Sequence, residues 1–359
     1  MQSIFLSRDA SPRHLAAKTR TALQLLAALI SLMVPFQMLR AQNTPVISGA
    51  VGLLNSRNDG VNFFQPVLAP VVVAPLGKLF LFESRFDLRE FYIQQNGTGA
   101  YQGTFFGSTQ YLQLDYIASP HLTVTAGRFL TPFGTYNERL TPIWIPNFQD
   151  APLIYQIGTR TTGSSDGGML RGVVFSKPSV QMNYVGYFSA SSDVSQFQSA
   201  RSAGGQVDFY FPGKRVEIGT SYSRFLQGTN YNSVGAHFWW LPWRSPLQVR
   251  SEYAHASGAQ GYWIEAAYRL SQWSGEDSIL GRLEPVFRMQ QVFRNGPSPV
   301  GGLPAANTQQ ADFGLDYNFP HDVRLNSSYS RQFSSTADAN IWDVSLTYRF
   351  LLPLWRGRE

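Results

Sequence analysis

The chain has 359 residues, of which 14% are charged and 14% are aromatic, and it contains no cysteine. The charged fraction is well below the roughly 25% of soluble globular domains, and the lack of cysteine excludes disulfides, thiolate chemistry and cysteine-ligated zinc. The formal charge of +6 is concentrated before residue 42, which leaves +2 for the rest of the chain. This distribution argues against a nucleic-acid partner.

The N-terminal segment has the pattern of an export signal. Basic residues precede an apolar run at residues 22–34, which has about the length of the hydrophobic core of a signal peptide. The run is short for a membrane span, Pro35 interrupts it and no second hydrophobic segment follows, so a retained membrane anchor is the weaker alternative. We therefore predict that residues 1–41 are a cleaved signal peptide and that residues 42–359 form the mature domain.

Polar and apolar side chains alternate in segment after segment beyond residue 45. In residues 82–89, one face carries charges of both signs and the other face is apolar. A period of two is typical of a β-strand that lies between two unlike environments. The charged face of this segment comprises Glu83, Arg85, Asp87 and Arg89.

The repeated alternation predicts about sixteen strands with no helical pattern between them. A soluble sandwich would bury one face in a dry core, whereas the polar faces here carry too many charges for a dry interior. An apolar outer face and a polar inner face are typical of a barrel in lipid, so we predict an all-β fold, a transmembrane antiparallel β-barrel of about 16 strands. The predicted strands are 46–54, 64–75, 77–93, 104–118, 121–131, 167–176, 179–189, 203–211, 215–225, 231–241, 246–257, 259–270, 281–294, 309–319, 322–333 and 338–350.

The connections between these strands alternate between short turns and longer loops. The short turns are rich in Pro and Gly, and they contain Lys78, Lys177 and Lys214, the only lysines beyond the signal segment. The other connections are longer and more polar, and we assign residues 55–60 and 294–308 to them. Short turns of outer-membrane barrels face the periplasm, and an even number of strands places both termini on that side.

The third long connection, residues 132–166, is the longest of all. Connections above about 15 residues without regular structure are uncommon and usually functional. This one carries apolar side chains that would be costly to expose to water. We therefore expect an inward-folded third loop that packs on the barrel wall, narrows the lumen and presents Glu138, Arg139 and Asp150 to its interior.

Three segments resemble known outer-membrane barrels. Gly-Arg-Phe-Leu-Thr-Pro-Phe-Gly at residues 127–134 resembles the strand-to-loop signature of the phosphate-selective porin O and P family, and residues 283–288 resemble a late strand of that group. Residues 344–350 are similar to the C-terminal aromatic signal that such barrels present to their assembly machinery. The resemblance implies a sixteen-stranded channel, trimeric in assembly, with its third loop folded inward.

Two features depart from this resemblance. Residues 351–359 follow the terminal aromatic residue, where such barrels usually end, and no strand carries a lysine. Because the phosphate-selective members rely on basic pore residues that include lysines, phosphate selectivity is not carried over to this chain.

The function predicted from these features is passive diffusion of small hydrophilic solutes or ions through a porin in a Gram-negative type of outer membrane. The expected partners are outer-membrane lipid and lipopolysaccharide, the solutes, the barrel assembly machinery and further copies of the chain in a homotrimer. A substrate-specific channel for an anion or a small organic solute is the first alternative. The second alternative is a barrel enzyme with a plugged lumen.

Charged residues on the inward parity and in the third loop are the candidate site. No catalytic residue is predicted, because no nucleophile motif accompanies His255, the one histidine beyond the signal segment that combines strand position with outward parity. No cofactor or metal ligand is predicted either, because the sequence shows no phosphate-binding glycine motif and no metal-ligand cluster. The predicted pore-lining or constriction residues are Glu83, Arg85, Asp87, Arg89, Arg128, Glu138, Arg139, Asp150, Arg171, Arg250, Glu252 and Arg288.

Overall fold

The structure is a computed structural model that describes residues 44–159, 163–192, 198–227, 230–296 and 302–353. The predicted signal peptide and its cleavage site lie outside the described residues. Within the described ranges, no helix combines the length and the apolar character needed to cross a membrane.

Sixteen antiparallel strands form one closed barrel, which confirms the predicted fold class. Each strand pairs with its neighbours in sequence, and the first strand pairs with the last to close the sheet. The strands are β1 Val46–Asn58, β2 Val61–Leu76, β3 Phe80–Gln94, β4 Gln102–Ser119, β5 Leu122–Leu130, β6 Ser164–Ser176, β7 Gln181–Ala190, β8 Ser202–Phe211, β9 Val216–Phe225, β10 Tyr231–Trp240, β11 Leu247–Ala256, β12 Ala259–Tyr268, β13 Leu283–Arg294, β14 Thr308–Asn318, β15 Val323–Ser334 and β16 Ala339–Pro353. The helical elements are α1 Gln156–Thr159, α2 Ser271–Ser274, a π-helical turn Tyr136–Leu140 and 3₁₀ turns Gln95–Gly97 and Leu280–Arg282.

The third loop distinguishes one end of the barrel from the other. The third loop, residues 131–163, joins β5 to β6, and we call its end of the barrel the loop end and the opposite end the turn end. Lys78, Lys177 and Lys214 all lie in connections at the turn end. The connection 269–282, which contains α2, is the longest at the turn end.

One connection predicted to be long is instead a tight turn. Residues 55–58 continue β1 and Val61 begins β2, so only Asp59 and Gly60 separate the two strands. Both residues have positive φ, +42° for Asp59 and +89° for Gly60. Positive φ at both central residues is the geometry of a type I′ hairpin turn, which Asp-Gly favours. The polar side chains that suggested a loop belong to the end of a strand.

The alternation of side chains separates a buried inner face from an exposed outer face. On β11, Arg250, Glu252 and Ala254 are buried, whereas the intervening Tyr253 and His255 are exposed. Successive residues of a strand point to opposite sides, so the buried set faces the interior of the barrel. The charged side chains that the sequence placed on the inward parity of β11 therefore lie inside.

The seam between β1 and β16 extends beyond the terminal aromatic residue. Thirteen residue pairs join these strands, from Asn58 opposite Ile341 to Val46 opposite Pro353. The last three pairs involve residues 351–353, which follow Phe350. Part of the C-terminal extension is therefore strand, and its backbone contributes to closing the barrel.

Removal of residues 351–359 tests the contribution of this extension. We expect the truncated chain to fold, because the other pairs of the seam remain, and to unfold at a temperature a few degrees lower, because three closing pairs are lost. The unfolding temperature is measured from heat-modifiable mobility on electrophoresis. A truncated chain that fails to fold would show that the extension is needed for assembly.

Candidate functional site

A glycine-containing motif, residues 127–134, leads the chain from β5 into the third loop. Gly127 has φ +118°, and a Cβ atom at this position would lie 2.5 Å from the backbone oxygen of Leu112 on β4. A side chain would therefore be excluded by both conformation and space. Phe129 is fully buried and packs against Tyr187 with ring centroids 6.1 Å apart. These two residues of the motif therefore have structural roles: they fix the path of the backbone from β5 into the barrel.

Glu252 on β11 holds the first residues of the third loop. One carboxylate oxygen accepts hydrogen bonds from the backbone N–H groups of Thr135 and Tyr136 and from the Thr135 hydroxyl. The other oxygen accepts a hydrogen bond from Trp263 Nε1 at 3.3 Å. Gly134 has φ +66°, and a Cβ atom there would lie 2.8 Å from the Glu252 carboxylate. The second glycine of the motif thus makes room for the carboxylate.

The π-helical turn Tyr136–Leu140 carries two charges that pair with the wall. Glu138 accepts a hydrogen bond from Arg171 on β6 at 2.8 Å. Arg139 donates to Glu217 on β9 at 2.6 Å. Two strands, β6 and β9, therefore hold the turn by ion pairs of opposite polarity.

Arg250 and Glu265 form a buried ion pair beneath the loop. Arg250 donates to Glu265 Oε1 through two nitrogens, at 2.8 and 2.5 Å. Asn147 of the loop donates to the same oxygen at 2.8 Å. The Arg250 guanidinium also lies 5.8 Å from the ring centroid of Trp239, whose ring is 5.7 Å from the guanidinium of Arg139. The loop therefore covers this ion pair and donates one of the hydrogen bonds that the Glu265 carboxylate accepts.

Arg288 on β13 anchors the middle of the loop. It donates to Asp312 on β14 at 2.7 Å, and the two side chains are 2% and 0% exposed. It also donates to the backbone oxygen of Asp150 at 3.1 Å, and its guanidinium lies 4.6 Å from the ring centroid of Phe148. A charge pair buried this deeply requires further hydrogen bonds to offset its desolvation, and the loop backbone supplies one.

Asn137 ties the two ends of the loop together. Its side-chain nitrogen donates to the backbone oxygens of Thr131 at 2.9 Å and Gly163 at 2.6 Å. Its side-chain oxygen accepts a hydrogen bond from the Tyr155 hydroxyl at 2.9 Å. Burial raises the pKa of Tyr155 to about 12, so this hydroxyl remains a donor throughout the neutral pH range.

Apolar side chains of the loop pack against apolar side chains that face inward from the wall. One cluster brings Phe133, Tyr136, Leu140, Ile154 and Ile157 of the loop against Phe225, Tyr231, Ala254, Ala256, Trp263 and Val292 of the strands. The aromatic residues among the inward-facing positions therefore have a loop to cover them, and their exposure to water is reduced.

Described residues of the loop and the wall enclose two cavities inside the barrel. The loop-end cavity has a volume of about 610 Å³, and Arg85, Asp87, Arg89, Arg128 and Asp150 are among its lining residues. The turn-end cavity has a volume of about 490 Å³, and its lining includes Glu83, Glu138, Arg139 and Arg171. The loop lines both cavities; the turn-end cavity is bordered by β3 to β8, and the loop-end cavity by β1 to β6 together with β15 and β16.

The predicted site residues divide into two groups. Nine of the twelve line one of the two cavities. Arg250, Glu252 and Arg288 are 2%, 8% and 2% exposed and contact the covering loop or its neighbours. The structure therefore brings the nine around open space and places the other three at the interface between loop and wall.

Neutral side chains that sequence reasoning did not single out complete these contacts. Thr141 accepts a hydrogen bond from Arg85 at 2.8 Å, and Asn147 accepts one from Arg324 at 2.7 Å. Arg128 has a charged partner instead, since its guanidinium donates to the Asp166 carboxylate at 2.9 Å. No spacing in the sequence marks Thr141 or Asn147, because loop residues gain their partners only when the barrel closes.

Solved outer-membrane proteins share this fold at low sequence identity. OmpF of Salmonella typhi, in complex with daunomycin, has a TM-score of 0.60 and 13% identity over 87% of this chain and 99% of that chain. The in-vitro folded OmpT of Vibrio cholerae, in its trimer form, has a TM-score of 0.56 and 11% identity over 86% and 99%. An anion-selective porin from Comamonas acidovorans has a TM-score of 0.55 and 10% identity over 86% and 100%.

Comparison at the level of sequence identifies no relative. No family model matches the chain, and no curated protein matches it. The structural likeness therefore shows the barrel fold found in porins, and the narrower resemblance to the phosphate-selective porin O and P family is not confirmed.

Glu252→Ala tests whether this carboxylate holds the loop. The substitution leaves the N–H groups of Thr135 and Tyr136 without their acceptor, and a buried donor without a partner costs about 1–3 kcal/mol. We expect faster tryptic cleavage after Arg139 in the folded, detergent-solubilised barrel. Glu83→Ala is the control, because the hydrogen bond to Glu83 comes from Gln113 on the next strand. Equal cleavage rates in the two variants would contradict the role of Glu252.

Proposed function

We propose that the chain is a porin, an outer-membrane channel for passive diffusion of small hydrophilic solutes or ions. The observation that carries this proposal is the pair of charged cavities inside a closed barrel, one on the loop-end side and one on the turn-end side. A barrel of sixteen strands is wide enough to leave an aqueous path, whereas one of about eight is filled by its own side chains.

The path runs between the third loop and the part of the wall formed by β15, β16 and β1 to β8. The strands β9 to β13 lie under the loop, through Glu217, Glu252, Glu265 and Arg288. The cavities are bordered by β3 to β8 and, at the loop end, also by β1, β2, β15 and β16, together with the loop itself. The π-helical turn, which contributes residues to both cavities, forms the narrow section between them.

Selectivity between anions and cations is weak in this proposal. Arg89 pairs with Asp87 at 2.5 Å, Arg128 with Asp166 at 2.9 Å and Arg171 with Glu138 at 2.8 Å. Each guanidinium is therefore compensated by a carboxylate, and the lumen presents charges of both signs to a solute. Rings of charge at a constriction select ions when one sign dominates.

A substrate-specific anion channel is the second candidate. It is favoured by the four arginines that border the loop-end cavity, Arg85, Arg89, Arg128 and Arg324. Saturation of chloride current by micromolar phosphate is the signature that would distinguish it. The pairing of three of the four with carboxylates argues for the general channel. We propose no enzymatic role, since exposed His255 lies on the outer face without a nucleophile motif.

The surroundings of the barrel follow from its outer face. Exposed apolar side chains such as Leu53, Ile218, Phe313 and Leu346 suit contact with outer-membrane lipid, with lipopolysaccharide around the loop end. We also propose that the chain is exported through a signal peptide and folded by the barrel assembly machinery. A homotrimer is proposed by analogy with the trimer form of OmpT.

Conductance in planar bilayers tests the channel proposal. The purified barrel should give discrete steps of ohmic current, because water and ions fill the path between loop and wall. Reversal potentials in a salt gradient should lie near zero. A folded, inserted barrel without conductance would contradict the proposal and favour a plugged lumen.

Neutralisation of the two members of the Arg89–Asp87 pair tests which charges face the path. Arg89→Gln leaves a carboxylate in the loop-end cavity and should shift the reversal potential toward cation preference. Asp87→Asn leaves the guanidinium and should shift it by a similar few millivolts toward anion preference. The outer pair of Arg331 and Asp338, 32% and 47% exposed, supplies the control substitution Arg331→Gln, for which no shift is expected. The absence of a shift in both variants, as in the control, would place the pair away from the path.

A further inference from the structure

Three neighbouring strands bring a histidine and two carboxylates together on the inner wall. Asp208 on β8 is paired with Gly219 on β9, and Gly219 is paired with His237 on β10. Glu217 lies two residues before Gly219 on β9, and side chains two residues apart share one face of a strand. The three side chains therefore occupy the same face at nearly the same level of the barrel.

Gly219 allows these side chains to meet. A Cβ atom at this position would collide with the Asp208 carboxylate on one side and with the His237 ring on the other. Its φ is not in the left-handed region, so the glycine is required by space and not by conformation. The missing side chain opens a gap on β9 into which its two cross-strand neighbours lean.

The distances among the three side chains are those of ligands around one ion. His237 Nε2 lies 3.3 Å from Asp208 Oδ1 and 3.4 Å from Glu217 Oε1. One potential ligand atom from each residue lies within 4.8 Å of the others. In a tetrahedral zinc site with bonds of about 2.0–2.1 Å, neighbouring ligand atoms are about 3.3 Å apart.

His237 supplies an independent indication of a ligand. Its side chain is 0% exposed, and neither ring nitrogen makes a hydrogen bond of good geometry to a described residue, although Nε2 is within ion-pair distance of both carboxylates. A buried polar group without a partner is costly, so each one calls for an explanation. The ring directs Nε2 between two carboxylate oxygens without the geometry of a hydrogen bond, which is the arrangement that a bound cation would complete.

Neighbouring residues orient the Asp208 carboxylate. Gln206 donates to Asp208 Oδ1 at 2.9 Å and to Oδ2 at 3.1 Å, and its own oxygen accepts a hydrogen bond from Ser221. Hydrogen bonds of this outer kind hold metal ligands in position. Asp208 also lines the turn-end cavity, so an ion and its water ligands have a route to the site.

We propose that Asp208, Glu217 and His237 form a binding site for a divalent transition-metal cation in the barrel wall. Imidazole with two carboxylates suits Zn²⁺, Co²⁺ or Ni²⁺, whereas Mg²⁺ and Ca²⁺ prefer oxygen ligands alone. A dication would also neutralise the negative charge of both carboxylates, which Arg139 alone balances only in part. The site lies beyond the proposed channel function, which requires no metal.

Arg139 of the third loop competes for this site. Its guanidinium donates to Glu217 Oε1 at 2.6 Å, the oxygen nearest His237 Nε2. A metal bound to that oxygen would displace or weaken the ion pair between the loop and the wall. Binding of the metal is therefore expected to be weakened by Arg139, and occupancy of the site to loosen this contact of the π-helical turn.

The test is metal binding to the full mature barrel, purified from outer membranes in detergent without a polyhistidine tag. Zn²⁺ titrated against a chromophoric chelator should show one equivalent bound, and Co²⁺ should give the visible absorption of a four- or five-coordinate site. Asp208→Asn, which preserves shape, and His237→Ala should each weaken Zn²⁺ binding at least tenfold. His255→Ala, on the outer face, should leave it unchanged. Heat-modifiable mobility checks that each variant is folded.

For Arg139→Gln we expect the opposite effect on Zn²⁺ affinity from that of Asp208→Asn and His237→Ala. Removal of the competing guanidinium should tighten Zn²⁺ binding several-fold, which a general loss of wall structure would not do. Wild-type protein that binds no Zn²⁺ above the His237→Ala background would overturn the proposal and leave the three groups as an ion-pair network. Binding that survives Asp208→Asn unchanged would overturn it as well. None of these measurements depends on the chain being a channel.

Discussion

The structure depends on the burial of charged wall residues beneath the third loop. A sixteen-stranded barrel with polar inward faces would otherwise be lined all round by hydrated charges. Here one side of the wall is covered, and each covered charge receives a defined partner from the strands or from the loop backbone. Glu252 accepts three hydrogen bonds from the start of the loop, and Arg288 pairs with Asp312 while it binds the loop backbone. Because an unpaired buried charge is strongly destabilising, the loop and the wall specify each other's positions.

This arrangement divides the interior into a filled side and an open side. Apolar residues that face inward, such as Trp263 and Val292, would be out of place in an aqueous lumen and are instead covered by the loop. Charges on the open side remain beside cavities and pair mostly with neighbours along the wall. The same pattern of alternation thus produces two different environments, and position around the barrel decides which of them a given inward residue occupies.

The sequence predicted the barrel well because alternation and turn chemistry are local signals. All sixteen strands were expected, and the lysines marked the turn end. The exception at Asp59 and Gly60 arose because polar residues near the end of β1 resemble a loop, although the dipeptide itself signals a tight hairpin. Which inward charges meet the loop could not be predicted, since Arg250 and Arg89 share the same parity and differ only in what lies opposite them.

The group of Asp208, Glu217 and His237 also could not be predicted from the sequence. No metal ligands were predicted, because the three residues are separated along the chain by spacings that match no metal motif. Cross-strand register brings them together, and register depends on the turns between strands. Gly219 is the one local hint, because a glycine within a strand often marks a close approach of neighbouring groups.

Accessibility of single cysteines to a charged thiol reagent tests the division of the lumen most directly, because the chain has no cysteine of its own. Ser108→Cys lies in the loop-end cavity and Thr123→Cys in the turn-end cavity, whereas Ser233→Cys is under the loop, where Ser233 is 0% exposed. We expect rapid modification and reduced current for the first two variants, and neither effect for the third. Equal modification of Ser233→Cys, or modification of the cavity positions without any change in current, would contradict this expectation.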